Sequence, residues 1–249
     1  MTSLNAGRGA EGNSDWGKTL EPSPPPVQGN PGLPCPPDFA GRPRAKAALA
    51  EEKQSYETLF SFIRARGYTQ HFQPDSTILL HEEPANVVYL IETGTVRSCT
   101  IDSFGHRQIF AFPRKGELVG ISDTDRWHFT AEAVDHVVVK SLPRTVLEQE
   151  LAVNTALRQE SRAYIRALLA QREKQLLMLS HSKGPQRLLD FLVTFAASRP
   201  STGYIALPMS RRDIADHIGL STESVSRAFS HLKRTGRIDL KTPEKFKII

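Results

Sequence analysis

Three residues near the C-terminus have the types and the spacing of a base reader. Glu223, Ser226 and Arg227 stand at i, i+3 and i+4, which places them on one face of a helix. An arginine there can donate a bidentate pair to guanine O6 and N7. A glutamate can accept from cytosine N4, each contact discriminating by about 1–3 kcal/mol. Ser226 can donate to or accept from a base edge. A carboxylate is repelled by phosphate, so Glu223 is out of place beside nucleic acid unless it reads a base or orients Arg227. The competing account of the pair is a surface i,i+4 ion pair worth a few tenths of a kcal/mol.

The elements that must hold these residues are legible around them. Ser210 with Asp213 three residues on forms a capping arrangement for a short helix. Ile214, Ala215 and Ile218 face inward along it, and Gly219 supplies a tight turn. Ser221 or Thr222 caps a second helix, on which Val225, Phe229 and Leu232 repeat at i, i+4 and i+7 opposite the polar trio. Every local signal agrees with a helix-turn-helix whose second helix meets base edges in the major groove. Phosphate positioning falls to Arg211, Arg212, Ser221, Lys233 and Arg234, together with helix N-termini. Arg237-Ile238-Asp239-Leu240 and Phe246–Ile249 flank Thr242-Pro243-Glu244 as a small β-wing, made basic by Lys241, Lys245 and Lys247. The C-terminal domain reads as a winged helix, with double-stranded DNA as its partner.

The charge distribution agrees. The formal net charge of +5 divides into an acidic middle and a basic end: residues 51–140 carry nine Lys/Arg against thirteen Asp/Glu, and 201–249 carry nine against five. That asymmetry suits a sensing module joined to one that meets a polyanion. The apolar share of 39% is a blend, because nine of the 17 prolines and seven of the 16 glycines fall in residues 1–50. Those residues read as a disordered tail. The two cysteines, Cys35 and Cys99, exclude a disulfide scaffold, a four-thiolate zinc site and an internal four-cysteine iron–sulfur cluster. No apolar run approaches the roughly 18 residues of a membrane span, and no secretory signal stands at the N-terminus. The expectation is a soluble cytoplasmic protein with no membrane partner.

Between tail and winged helix the rhythm changes twice. Tyr56–Arg66 has helical periodicity ended by Gly67. From Tyr68 to Leu142 short apolar pieces alternate with turn residues: Val87–Ile91, Thr95–Ile101, Arg107–Phe112, Phe129–Val134 and His136–Val139. Such spacing predicts a small antiparallel barrel or sandwich, with a hairpin loop at Asp102-Ser103-Phe104-Gly105-His106. Pro143 then opens a short helix, and a long one runs from about Val153 to Ser182. Some 28 helical residues span about 42 Å, too long for a barrel of this size to cover. Its stripe of Leu157, Ile165, Leu168, Leu176 and Leu179 calls for a partner, and an identical helix in a homodimer is the economical one, the competing account being an ordinary buried core helix. Pro185 starts a further helix through Ala197. The predicted layout is residues 1–50 tail, 51–142 sensory β-barrel, 143–182 linker and dimerisation helix, and 183–249 winged helix-turn-helix, α+β overall.

Over nearly everything after residue 50 the sequence resembles the Crp/Fnr family of bacterial transcription regulators. The resemblance is strongest in Leu207–Gly236, where Leu-Pro-Met-Ser-Arg-x-Asp-Ile-Ala-Asp and Thr-Glu-Ser-Val-Ser-Arg are similar to the FixK-like branch of the Fnr group. It implies a cyclic-nucleotide-binding-like jelly-roll barrel ahead of the long helix, and recognition of a TTGAT-N4-ATCAA type palindrome. It also implies activation of genes for low-oxygen, nitrogen-fixation or nitrogen-oxide metabolism, with Asp102, Ser103, Phe104, Gly105 and His106 as the surface touching RNA polymerase. Some FixK-like members need no small-molecule signal.

Departures from the family narrow the possibilities. The cluster cysteines of its oxygen sensors have no counterpart, leaving Cys99 as a packed small hydrophobe or a redox-active thiol. Gly116–Gly120 resembles the start of the family's phosphate cassette, but Phe129-Thr130-Ala131 stands where cyclic-AMP binders carry Arg-Ser/Thr-Ala, and Arg126 comes three residues early. Burying a phosphodiester without its arginine costs several kcal/mol. His71, His81, His106, His128 and His136 show no diagnostic pair spacing, so no haem, no other cofactor and no metal is expected. A cupin-like His-x-His is absent, and no catalytic constellation is supported. Two alternatives follow: a sensor gated by haem and nitric oxide or by a cyclic nucleotide, and, from another class, a barrel interaction module or enzyme without a DNA role.

Overall fold

The computed structural model describes residues 56–181, 183–197 and 203–249. The Pro/Gly-rich head with Cys35, Ser182 and residues 198–202 lie outside them. Helix α1 (Glu57–Arg66) buries Leu59, Phe60 and Ile63 and stops at Gly67.

Eight strands follow: β1 (Tyr68–Phe72), β2 (Thr77–Leu79), β3 (Val87–Thr93), β4 (Val96–Ile101), β5 (Arg107–Ala111), β6 (Leu118–Val119), β7 (Thr130–Ala133) and β8 (Val137–Pro143). They form two antiparallel four-stranded sheets, ordered β1-β8-β3-β6 and β2-β7-β4-β5. Period-two alternation turns Val137 and Val139 of β8 and Ala131 and Ala133 of β7 into a core with Val96, Ile91 and Trp127. Cys99 belongs to the buried set, and burial pushes its thiol up from the ordinary range, with Glu132 adding to the effect. It sits as a packed small side chain, not as an exposed thiol. Strands β1, β2 and β6 carry little sequence signal. β1 is exposed along four of its five residues and is held by its ladder with β8, from Tyr68↔Ser141 to Phe72↔Val137.

Helix α2 (Arg144–Val153) ends at Asn154, whose Oδ1 accepts from the Leu157 amide at 3.1 Å and so starts α3 (Thr155–His181). Helix α3 packs on α1 and the barrel. The Tyr164 ring meets Tyr56 and Phe60 edge to face at 5.2 and 6.0 Å, and its hydroxyl accepts from the Leu118 amide at 2.8 Å. Glu160 accepts from the Leu59 amide at 2.9 Å.

This packing corrects the stripe read from spacing. Leu157 is 0% exposed and lies in the core with Leu59, Leu90 and Leu142 of its own chain. Leu179 turns toward the Gly219 turn of the helix-turn-helix, and Leu168 is half-buried. Ile165, Leu169, Leu176 (66% exposed) and Leu177 (60%) form the apolar outer surface. A three-to-four spacing run over many turns cannot separate two faces when the helix rests on its own chain along one of them.

Helix α4 (Gly184–Ala197), with Pro185 in its first turn, buries Leu188, Leu192 and Phe195 in a third core. β9 (Ile205–Ala206), α5 (Arg211–Ile218), α6 (Thr222–Arg234), β10 (Ile238–Thr242) and β11 (Lys245–Ile248) complete it, through Ile214, Ile218, Val225, Phe229, Leu232 and Phe246. The wing is a three-stranded sheet ordered β10-β11-β9. No helix among the described residues is long and apolar enough to cross a membrane.

Candidate nucleic-acid interface

Helices α5 and α6 are fixed by caps at the start of α5 and on both sides of the turn between them. Ser210 Oγ accepts from the Asp213 amide at 3.0 Å, while Asp213 Oδ2 accepts from the Ser210 amide at 3.1 Å, a complete capping box at the start of α5. Gly219 ends α5 at φ 65° and ψ 47°, left-handed geometry that favours glycine. Arg187 of α4 donates to the carbonyls of Ile218 and Gly219 at 3.2 and 3.4 Å. Ser221 rather than Thr222 caps α6, accepting from the Ser224 amide at 3.2 Å. Val225, Ala228, Phe229 and Leu232 bury the inner face of α6.

Glu223, Ser226 and Arg227 stand exposed on the opposite face. The Ser226 hydroxyl donates to the Thr222 carbonyl at 3.0 Å, which leaves its lone pairs outward. Arg227 donates to Ser224 Oγ at 3.1 Å, and no ion pair within 4 Å joins it to Glu223 among the described residues. Glu223 is held below the usual carboxylate range, first by its own backbone amide at the helix start, then by the Ser221 hydroxyl and, less, by Arg227. The face therefore offers an ionised acceptor and a guanidinium not spent on each other. It continues past the predicted trio. Ser226, Arg227, Ser230, His231 and Arg234 line one shallow groove. Ser230 and His231 follow Arg227 at i+3 and i+4, and extending the same spacing by a turn would have found them.

The predicted phosphate contacts divide. Arg212, Lys233 and Arg234 are exposed, Arg234 within the groove of this face, and Ser221 is exposed while serving as the cap. Arg211 is placed otherwise. Its guanidinium lies over the Phe229 ring at 3.1 Å and donates to the Pro243 carbonyl of the wing turn. Burial lowers its pKa to about 10. It ties α5, α6 and the wing together.

In the barrel, the Asp102–His106 loop joins β4 to β5. Asp102 Oδ1 accepts from the amides of Phe104 and His106 at 2.8 and 2.9 Å, leaving Phe104 84% exposed at the tip. Around the cassette, Trp127 is 3% exposed and Ala131 fully buried. A Cβ on Gly120, whose φ is +86°, would stand 3.0 Å from the Trp127 ring. Arg126 turns outward to the Glu82 carbonyl, and Arg144 is committed to the carbonyls of Ala85 and Thr124.

Comparison with known proteins agrees with this fold. Residues 186–249 match the Crp-like helix-turn-helix domain, and residues 69–154 match the cyclic nucleotide-binding domain. The chain is similar to the nitrogen fixation regulation protein FixK of Azorhizobium caulinodans, with 32% identity over 183 residues, 72% of this chain and 74% of that one. It is 27% identical over 174 residues to the transcriptional activator protein FnrA of Stutzerimonas stutzeri, covering 68% and 71%. Among solved structures it is similar to FixK2 from Bradyrhizobium japonicum, at a TM-score of 0.71 and 31% identity, over 73% of this chain and 92% of that one.

Proposed function

Since this chain belongs to the Crp/Fnr family of transcription regulators, which are DNA-binding proteins and not enzymes, we propose that it is a homodimeric activator acting on a TTGAT-N4-ATCAA type palindrome. Its relatives connect it with oxygen- and nitrogen-fixation-linked gene control. The observation that carries the reading is the exposed, capped face of Glu223, Ser226 and Arg227 on α6. Two such faces related by a two-fold axis fit half-sites one helical turn apart. The apolar stripe of Ile165, Leu169, Leu176 and Leu177 on α3 supports dimerisation. Phe104 at the tip of the Asp102–His106 loop suits a contact with RNA polymerase. The layout of sensory barrel (51–142), linker and dimer helix (143–182) and winged helix (183–249) is part of the same proposal.

The barrel needs no small-molecule signal in this reading. Its cassette region is filled by Trp127, and the nearby arginines are spent on backbone carbonyls. A mobility shift with ligand-free protein tests the whole reading. A salt-sensitive complex of the dimer on the palindrome is expected, and its absence overturns the proposal. Arg227→Ala should weaken that complex by about 1–3 kcal/mol and relax specificity at one base pair per half-site.

A further inference from the structure

The face of α5 that does not pack on α6 is occupied by charge, and the barrel supplies the opposite sign. Arg107, at the start of β5, donates from Nε to Asp216 at 2.8 Å and from Nη2 to Asp213 at 2.6 Å. Behind it Arg97 of β4 lies 3.8 Å from the other oxygen of Asp213, and is itself held by Glu132 at 2.7 Å and Asp75 at 3.0 Å. Only 6% of the Asp213 side chain is exposed, and a carboxylate that buried is sustained only by partners. Burial works against the charge on both guanidiniums. Their carboxylates more than offset it and hold both above the ordinary arginine range.

Asp213 serves two structures with one group. Its Oδ2 accepts from the Ser210 amide and hydroxyl to start α5, and its Oδ1 takes Arg107. The first turn of α5 is therefore locked to β5 by the group that makes it a helix. The same strand continues along the helix. The Ile109 carbonyl accepts from His217 Nδ1 at 3.0 Å, and the Phe112 ring meets the His217 ring at 5.2 Å. Helix α5 is in turn joined to α6 through the Gly219 turn and a shared core, so what orients α5 orients the recognition face. That face lies on the other side of the pair and stays open.

We infer that Arg107, backed by Arg97, positions the recognition helix for specific DNA binding by clasping Asp213 and Asp216 of α5 to the barrel. The clasp also pairs two of the five acidic residues in 201–249 with barrel arginines, so that their negative charge adds little to the field met by DNA. The positioning role rests on the reading of α6 as a DNA reader.

The test uses the full chain with Arg107→Gln, Asp216→Asn and the double substitution, each checked by thermal melting. Hydrogen exchange reads the clasp without DNA. Amides of α5 and α6 should exchange about tenfold faster in Arg107→Gln while barrel amides away from β5 keep their rates. Unchanged exchange overturns the inference. Mobility shifts then compare the palindrome with an unrelated duplex. Arg107→Gln should lose about tenfold on the palindrome and under twofold on the unrelated duplex, and the double variant should bind no worse than Arg107→Gln alone. Unchanged or tighter binding to the palindrome, an equal loss on both duplexes, or additive losses each overturn it. If Arg107→Gln does not fold, Asp216→Asn, which leaves the capping box intact, carries the same comparison. Wild-type protein that ignores the palindrome, with α5 still loosened in the variant, sinks the functional reading and not the clasp.

Discussion

The two helices of the helix-turn-helix treat charge in opposite ways. Helix α5 turns Asp213, Asp216 and His217 toward the barrel, where each has a fixed partner. Helix α6 leaves Glu223, Arg227, His231 and Arg234 exposed, with short-range contacts inside its own helix. The motif repeats polar residues at helical spacing on both. What separates them is the neighbour: β5 with Arg107, backed by Arg97 of β4, lies along α5, and among the described residues the outer face of α6 stands exposed. Polar side chains on α5 serve stability and orientation, while those on α6 remain free for a partner.

The sharpest way to break this contrast is to remove one carboxylate from each helix. Asp213→Ala removes half of the capping box and takes one carboxylate from each of two barrel guanidiniums, leaving Arg107 with Asp216 and Arg97 with Glu132 and Asp75. It should cost about 3 kcal/mol of stability. Glu223→Ala removes an exposed acceptor and should change stability by less than about 0.5 kcal/mol. Chemical denaturation of both variants checks this, and equal losses would erase the distinction.

How much of this was legible depended on whether the deciding contact is local. The capping box at Ser210 and Asp213, the Gly219 turn and the Val225–Phe229–Leu232 stripe are written within a few residues of one another, and the winged helix follows from them. The strands rich in Val and Ile announced themselves through alternation. β1 did not, because Tyr68-Thr69-Gln70-His71-Phe72 is ordered by a ladder to β8 about seventy residues away. Arg211 looked like a phosphate ligand because an arginine at a helix start in a basic domain usually faces outward. Its place over Phe229 depends on a wing turn 32 residues on. Asp213 was legible as a cap but not as a clasp, since its second partner, Arg107, lies 106 residues earlier. The same limit explains Leu157, whose apolar spacing was right and whose face was wrong.

Acid offers a second, smaller test of the α5 side. The His217 ring is enclosed between Phe112 and Phe191, and its pKa is driven down to about 4 by desolvation, with the nearby Arg172 charge adding to it. Unfolded, it returns to the ordinary value of about 6.5. Between those values the unfolded chain binds the extra proton, so stability is complete above about pH 6.5 and falls as the pH drops toward 4. A loss of the order of 2 kcal/mol is expected across that window. His217→Gln can still donate to the Ile109 carbonyl but cannot titrate, and should flatten this part of the profile. An equally steep profile in the variant would assign the acid sensitivity to another group.

The smallest effect separates two basic residues, Lys233 and Arg211, that composition alone treats alike. Each phosphate contact adds close to one counterion to the salt dependence of binding. Lys233 is exposed beside the α6 face, so Lys233→Ala should weaken all duplexes alike, by less than about 1 kcal/mol, and lower the salt slope by about one per protomer. Arg211 is held by Phe229 and the Pro243 carbonyl, so Arg211→Ala should leave the slope unchanged and lower the melting temperature through lost packing between α5, α6 and the wing. A salt titration of both variants decides it. If Arg211→Ala flattened the slope as much as Lys233→Ala, its guanidinium would have to leave Phe229 when DNA arrives, and the division between packed and free charge would hold only in the unbound protein.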